Sequence, residues 1–584
     1  MRRPSLHALV PLIIVAAWGV AISGVRISSF TDLGLISALP ASALALLGLL
    51  MASFAVALTR RPIDPVVMLA HVVVLIVVLY GVTAFVEPLP NYSTLYRMAG
   101  IVSYITHHHS VNPGIDAYFN WPGFFALGSM ITQVAGFKNV VSFATYGSLV
   151  FNLLYLPPLL SIFSWATFDR RVTWLAVWVF YICNWVGQDY IVPQAVGYLL
   201  FLSVIAALLA WFAPRSAKRS PAPSLRAVPR WFAPSQLRSV TGSVPAADAT
   251  QRVGVVMMVV LMYAATVTGH QLTPVPALVA VAALVVLAGL ETRMLPLMMA
   301  IILAAWISFM TTKYLAGNIG QLFDSLGALG SSVKQTTGRV VGSPQHEFVV
   351  DARIVVSVFI WALAGAGFLR RLRQHRIDTA MVLLAAVPFL LPVLQPYGGE
   401  IFLRVFFFSL PGVAFLIALL AFPSARSGRG PVTAVAVALV GCVLLAGFQF
   451  TRYGNERMNV FTHQDLVGVQ ALYRIAPLGA KLVAGTDNIP WRYQDYNAYS
   501  YSFVDTLPAF AADVPNPHRM FAELKAELAP QGGYVIFTHS TQVEAELTEG
   551  RPRALPRLIE VLQQQHDVRE VYHSGQDQIF FVQG

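Results

Sequence analysis

Residues 66–86 read VVMLAHVVVLIVVLYGVTAFV, a run whose one strongly polar side chain is His71. A helix needs about 20 mostly apolar residues to cross the hydrocarbon core of a bilayer, so this stretch reads as a membrane span. The same ruler places further spans near 8–26, 34–58, 141–166, 172–187, 192–213, 253–269, 274–290, 294–312, 353–369, 379–396, 403–422 and 432–450. The expected fold is therefore a polytopic α-helical membrane protein with about 13 transmembrane helices. Composition points the same way. Of 584 residues, 56% are hydrophobic and only 11% charged, against about 25% charged in soluble domains. Mean hydropathy is +0.64, which excludes a water-soluble fold for most of the chain. Disorder is excluded too, because it needs low hydrophobicity and high charge. Cys183 and Cys442 both fall in apolar runs, so neither a disulfide framework nor a thiolate metal cluster is available.

The net charge of +11 would suit nucleic acid, but the basic residues cluster in short segments between apolar runs. Segments 1–7, 59–65, 167–171, 214–252, 291–293, 370–378 and 423–431 carry 20 Lys and Arg, against eight on the opposite connections. The positive-inside rule then puts the N-terminus in the cytoplasm and, with odd parity, the tail outside. The stretch 121–136 is apolar but short and Gly-rich, and reads as a re-entrant or interfacial helix; a spanning 121–136 would reverse the parity. The first span follows Arg2 and Arg3 and reads as an uncleaved anchor rather than a signal peptide, since Val25-Arg26 is a poor cleavage context.

Residues 1–450 form the expected transmembrane domain. Within it, 87–140 is a long outer loop with re-entrant or amphipathic helices, 214–252 a Pro/Ser/Arg-rich cytoplasmic linker and 313–352 an outer loop. Residues 451–584 have the composition of a soluble extracytoplasmic α/β domain. Strand-like runs lie at 480–484, 533–538, 568–573 and 578–582, with helical patterns at 464–475, 518–528 and 554–565. No internal repeat is evident, which weakens an inverted-repeat transporter reading.

Polar groups near the apolar phase are costly, so their placement is informative. Four clusters share the outer side. The first is YITHHHSVNPGIDAYFNWPGFFALG at 104–128, with Glu87 and Arg97 upstream and His107, Asp116, Tyr118, Asn120 and Trp121 inside it. Asp116 is the acid nearest the Asn-Trp-Pro-Gly turn. The second is GQDYIVPQ, with Gln188, Asp189 and Gln194 in a short turn. The third is TGHQLTP, with His270 and Gln271, and the fourth is QPYGGEIFLR, with Glu400 and Arg404 four residues apart on one helix face. Together they imply a cavity opening outward. There is no P-loop, no HExxH and no nucleophile elbow, so an ATP-driven pump, a zinc peptidase and a serine hydrolase lack support. Adjacent His107, His108 and His109 cannot converge on one ion without a sharp turn, so no metal is expected there.

This arrangement resembles the type C glycosyltransferase superfamily, integral membrane enzymes that use lipid-linked sugar donors. Tyr92 through Phe125, with Asp116 before NWPGFF, looks like that family's acidic loop, and the ending REVYHSGQDQIFFV is similar to closing β-strands of its members. QDYIVPQ, HQLTP and YGGE…R look like motifs of an actinobacterial group of this kind. In many members the acidic loop follows the first span. Here it follows the third, and the first outer turn, RISSFTDLG, holds only Asp32.

The resemblance implies transfer of a sugar from a polyprenyl-phosphate donor to an extracytoplasmic glycan, lipid or protein acceptor, in contact with membrane lipid and without nucleic acid. Asp116 is the expected general base, with Glu87 in reserve. Arg404, His270 and Arg97 are expected to face the donor phosphate, and Asp189 and Gln194 to bind sugar hydroxyls. His107, Tyr118, Asn120, Trp121, Gln188, Gln271 and Glu400 complete the candidate binding set. Cations alone can stabilise a monophosphate leaving group, so no metal or other cofactor is expected. The alternatives are a secondary transporter or flippase for a lipid-linked substrate, a polysaccharide polymerase or ligase, and a scaffold.

Overall fold

Apolar helices dominate the computed structural model, which describes residues 6–213, 238–239, 248–314, 342–394, 400–423, 430–512 and 514–584. Among these, seven helices are long and apolar enough to cross a membrane, and shorter apolar helices alternate with them. The run quoted above becomes the Pro65–Tyr80 helix, started by Asp64, whose side chain accepts from the Val66 N–H, and closed at Gly81. Its one strongly polar residue is satisfied: His71 meets Ser53 Oγ at 2.9 Å and the Val67 carbonyl at 2.7 Å.

Several expected boundaries change. The second span starts at Ala41, because Pro40 separates it from the four-residue helix Leu35–Ala38. The span expected from 353 is a 30-residue helix, Pro344–Arg373, whose polar first turns disguise its start. The outer loop 313–352 is shortened accordingly; its residues 315–341, most of the linker 214–252 and the Gln395–Gly399 part of the fourth cluster lie outside the described residues. The last long helix, Pro431–Tyr453, carries the bundle past the expected boundary at 450.

At the centre stands the Ile401–Ala421 helix, buried almost throughout. It packs against Pro344–Arg373, Arg170–Cys183 and Thr379–Ala386. Two glycines permit the close crossings. A Cβ at Gly412 would lie 2.4 Å from the Met381 carbonyl oxygen, and one at Gly367 would lie 2.0 Å from that of Leu416. Small residues at such crossings let backbones approach where lipid supplies no hydrophobic drive between helices.

The C-terminal residues build a five-stranded sheet: β1 (Lys481–Ala484), β2 (Ser500–Phe503), β3 (Gly533–Phe537), β4 (Val568–Ser574) and β5 (Asp577–Val582). The order is β2-β1-β3-β5-β4, with β1 parallel to both neighbours and β5 antiparallel to both of its own. One face, including Val483, Val535 and Phe580, packs under the helices Pro517–Leu528 and Ala554–Gln563. The other face, including Leu482, Ile536 and Ile579, joins one apolar cluster with Leu472 and with Tyr96, Ile101 and Phe125 of the early loop. The early loop and the tail thus share a core.

The described parts of the four polar clusters lie together at the end of the bundle that carries this sheet, Arg404 reaching Gln194 and Gly123 closing on Thr268. Asp116 touches Tyr496, Asp189 touches Arg452, and the backbone at Ser343 donates to the Leu547 carbonyl. At the opposite end Asp169 pairs with Arg171, Arg252 with Glu291, and Arg371 with Asp378.

Candidate active site

Asp116, itself extended, follows the Asn112–Ile115 turn and caps the turn Ala117–Asn120, its Oδ1 accepting from the Tyr118 N–H at 2.8 Å. Its Oδ2 accepts from Arg97 through Nη2 and, at 3.1 Å, Nε, and from the Tyr496 hydroxyl at 2.5 Å. Arg97 belongs to the Ser93–His108 helix and lies 5.3 Å over the Tyr118 ring. Burial holds the Tyr496 phenol well above its ordinary pKa, so it stays protonated and donates. Charge-assisted bonds of this kind are about twice as strong as neutral ones. Arg97, expected at the donor phosphate, is thus occupied by the carboxylate.

A second group gathers beside it. Arg404, in the first turn of Ile401–Ala421, donates through Nη1 to Gln194 Oε1 and through Nη2 to Glu400 Oε2 at 3.1 Å. His270 ends the Ala249–Gly269 helix, and its Nδ1 accepts from the Thr273 N–H at 3.0 Å and meets Thr273 Oγ1 at 2.8 Å. Burial, and next the Arg404 charge, push His270 well below the ordinary histidine range. His270 is therefore a neutral imidazole that carries its proton on Nε2, a hydrogen-bond donor rather than a cation. The start of the Gly123–Val134 helix closes on this turn: a Cβ at Gly123 would lie 2.6 Å from Thr268 Oγ1. Tyr190 links the two groups, since Glu400, Tyr118 and Arg404 all act electrostatically on its buried hydroxyl. Gln271 sits half-buried in the His270 turn.

Asp189 and Glu87 take other roles. Asp189 is buried, accepting from Arg452 at 2.8 Å, Asn152 at 2.6 Å and Ser148 at 3.2 Å. At 1% exposure it is held by these protein donors inside the fold. Glu87 is buried beside Glu456, and burial, then the second carboxyl, push its pKa well above the carboxylate range. A carboxyl held protonated is a donor, not the base held in reserve. His107 is exposed at the end of its helix and meets its own Ser103 carbonyl at 2.7 Å, which takes it away from the cluster. His108 stacks on Tyr104 at 4.1 Å, and His109 caps the helix at φ +49°. Trp121 is buried against Tyr314 rather than open to ligand, while half-buried Gln188 makes no hydrogen bond among the described residues.

Several buried polar atoms at this end lack a partner among the described residues: Gln194 Nε2, Asn120 Oδ1, Arg452 Nη1 and Trp185 Nε1. Each of these atoms is free to make a further hydrogen bond. Arg353 reaches the same region, donating to the Thr451 carbonyl at 2.9 Å, with its guanidinium 5.9 Å over Trp185. Sequence reasoning missed Tyr496, Tyr190, Arg452, Glu456 and Arg353; the one usable signal was the aromatic density of WRYQDYNAYSYSF at 491–503. Among the described residues, only Asp487, Asp505 and Glu544 bring three metal-ligand atoms within 4.8 Å of one another, and they lie in the sheet region, not beside Asp116. Burial, then the Asp487 carboxylate, raise Asp505 to about 7 and Glu544 to about 8.

No family model matches the chain, and no curated protein matches it in sequence. Among solved structures, it is similar to ArnT from Cupriavidus metallidurans bound to undecaprenyl phosphate, at 12% identity and TM-score 0.46, over 88% of this chain and 97% of that one. It is similar also to the Archaeoglobus fulgidus oligosaccharyltransferase tethered to an acceptor peptide, at 12% identity and TM-score 0.46, over 84% of this chain and 71% of that one.

Proposed function

We propose that this protein is a membrane glycosyltransferase that moves a sugar from a polyprenyl-phosphate donor to an acceptor outside the cytoplasm. The observation that carries the reading is the convergence, at one end of an apolar bundle, of a buried carboxylate, two arginines and orphaned hydrogen-bonding groups. The acceptor hydroxyl attacks the anomeric carbon, its proton passes to Asp116, and the carbon–oxygen bond to phosphate breaks with both electrons leaving on the phosphate. Arg404 and the neutral His270 N–H stabilise that leaving group, while Gln194 Nε2 offers a donor to sugar or phosphate. Arg353 adds positive charge over the Trp185 ring. The span count of 13, a cytoplasmic N-terminus and an extracytoplasmic 451–584 domain belong to the same proposal, resting on the Lys/Arg asymmetry. A transporter would place ionisable groups near the bilayer midplane, whereas the ion pairs here lie at helix ends.

The test is transfer of radiolabelled sugar from polyprenyl-phosphate mannose, glucose or arabinose by the purified full chain. Asp116→Asn keeps the shape but cannot take the proton, so transfer should vanish while the chain still inserts and folds. Retained transfer in that variant would remove Asp116 as base. A reporter fused at Gly454 and active only in the cytoplasm would overturn the topology, and the site reading with it.

A further inference from the structure

A recess lies beside the 491–496 segment, whose Tyr496 contacts Asp116. It has a volume of about 380 Å³ and is lined by Tyr96, Lys138, Asn139, Gln470, Tyr493 and Gln494, among others. That volume falls within the roughly 300–1,000 Å³ of small-molecule sites. Its chemistry differs from that of the Asp116 site. Three carboxamides supply neutral groups, each able to donate and accept at once. Gln494 makes no hydrogen bond among the described residues, and the Asn139 side chain uses only its carbonyl oxygen, accepting from Ser142. Tyr493 stands edge-on to Tyr96 with centroids 6.1 Å apart, and its hydroxyl lies beside the Gln470 amide. Lys138 is exposed at the rim. Paired donors and acceptors beside aromatic rings match vicinal hydroxyls and the C–H face of a sugar ring better than they match an anion or an apolar tail.

The backbone ties this recess to the acid. Arg492 and Asp495 both adopt left-handed conformations, at φ +65° and +47°, a costly state for residues other than glycine. These two bends let one short segment present Tyr493 and Gln494 to the recess and Tyr496 to Asp116. The Ser93–His108 helix meets that segment backbone to backbone, since a Cβ at Gly100 would lie 1.8 Å from the Arg492 carbonyl oxygen.

We infer that this recess docks a neutral, polyhydroxylated saccharide, the outer part of the acceptor glycan, one bend of the chain away from the reacting acid. Its assignment to the acceptor rests on the transferase reading; its saccharide chemistry does not. The probes are soluble tetrasaccharides of α-1,6-mannose, α-1,4-glucose, β-1,6-galactose and α-1,5-arabinose, offered to the full chain in detergent and read by saturation-transfer NMR. At least one should bind with ring-proton transfer, and Gln470→Ala and Gln494→Ala should each weaken it by tenfold or more. Unchanged melting temperatures would show that both variants fold. Binding should persist in Asp116→Asn, so loss of transfer chemistry and loss of docking are separable. Absence of binding by all four probes, or equal binding in both glutamine variants, overturns the proposal. Displacement of the saccharide by a polyprenyl-phosphate sugar overturns the acceptor assignment.

Discussion

The Tyr496 hydroxyl lies 2.5 Å from Asp116 Oδ2, although the two residues are 380 positions apart in the chain. With Arg97 on the same oxygen and the Tyr118 N–H on the other, the carboxylate is gripped from the early loop and from the tail together. Three partners fix its orientation and leave Oδ1 with one lone pair, the one that the proposed reading assigns to an acceptor hydroxyl.

Tyr496→Phe removes the grip from the tail alone. A hydrogen bond to a charged group contributes about 1.5–3 kcal/mol, so a bond that matters for orientation would cost roughly 10–150-fold in kcat. The melting temperature should change little, because the ring packing against Phe119 is kept. Steady-state transfer by the purified variant decides it, and unchanged kcat would make Tyr496 a packing residue only.

Arg404→Lys tests the phosphate. Arginine here spans Gln194 and Glu400 at once, which a single ammonium cannot reproduce. If the fork also faces the donor, transfer should fall about 10–100-fold, in keeping with the loss of a charge-assisted bond. Melting temperature and rate are to be measured together. Equal loss of both would mark an ion pair that serves the bundle.

Asp189→Asn addresses stability. The Asp189–Arg452 pair is buried at both members. Breaking such a pair by removing one charge costs about 3–5 kcal/mol, because the other charge stays buried. Thermal unfolding in detergent should show a large drop, with transfer per folded molecule retained. A stable but inactive variant would return Asp189 to the sugar site.

Asp505 and Glu544 give stability a pH dependence of defined sign. Both carboxyls bind their proton more tightly in the fold, near 7 and 8, than in an unfolded chain near 4. The folded state therefore holds more protons across that window, and stability should fall as pH rises from about 4 to about 8. Asp487→Asn removes one of the three neighbouring charges and should make the decline shallower. Melting temperatures from pH 5 to pH 8.5 check both points; a flat profile in the parent chain would contradict them.

The apolar spans were legible because each is a local property of about 20 residues, and the gathering of Asp116, Gln194, His270, Glu400 and Arg404 at one end follows from their alternation. Partners were not legible where they come from afar. Arg452 meets Asp189 across 263 positions, and nothing local marks it as more than the last turn of a span. Charge state was hidden for the same reason: burial by distant parts of the chain, and next the Glu456 carboxyl beside it, raise the Glu87 pKa. In the tail, four strands and three helices lie where their periodicity puts them, whereas β2 and the His539–Leu547 helix do not advertise themselves. The first, SYSF, is too short to show a pattern, and the second, HSTQVEAEL, has too few apolar positions to form a stripe.

The contact between Asp116 and Tyr496 also has a consequence for biosynthesis. Ribosomes add about 5–20 residues per second, so the 380 positions between the two take roughly 20–80 s to emerge. During that interval every helix after the early loop must be inserted before the tail can fold back onto it. A nascent chain stalled or truncated before residue 496 would carry its acid without its last partner. Completion of the Asp116 group thus reports that the whole bundle has been threaded, and on the proposed reading an incompletely made molecule in the membrane would be silent rather than promiscuous.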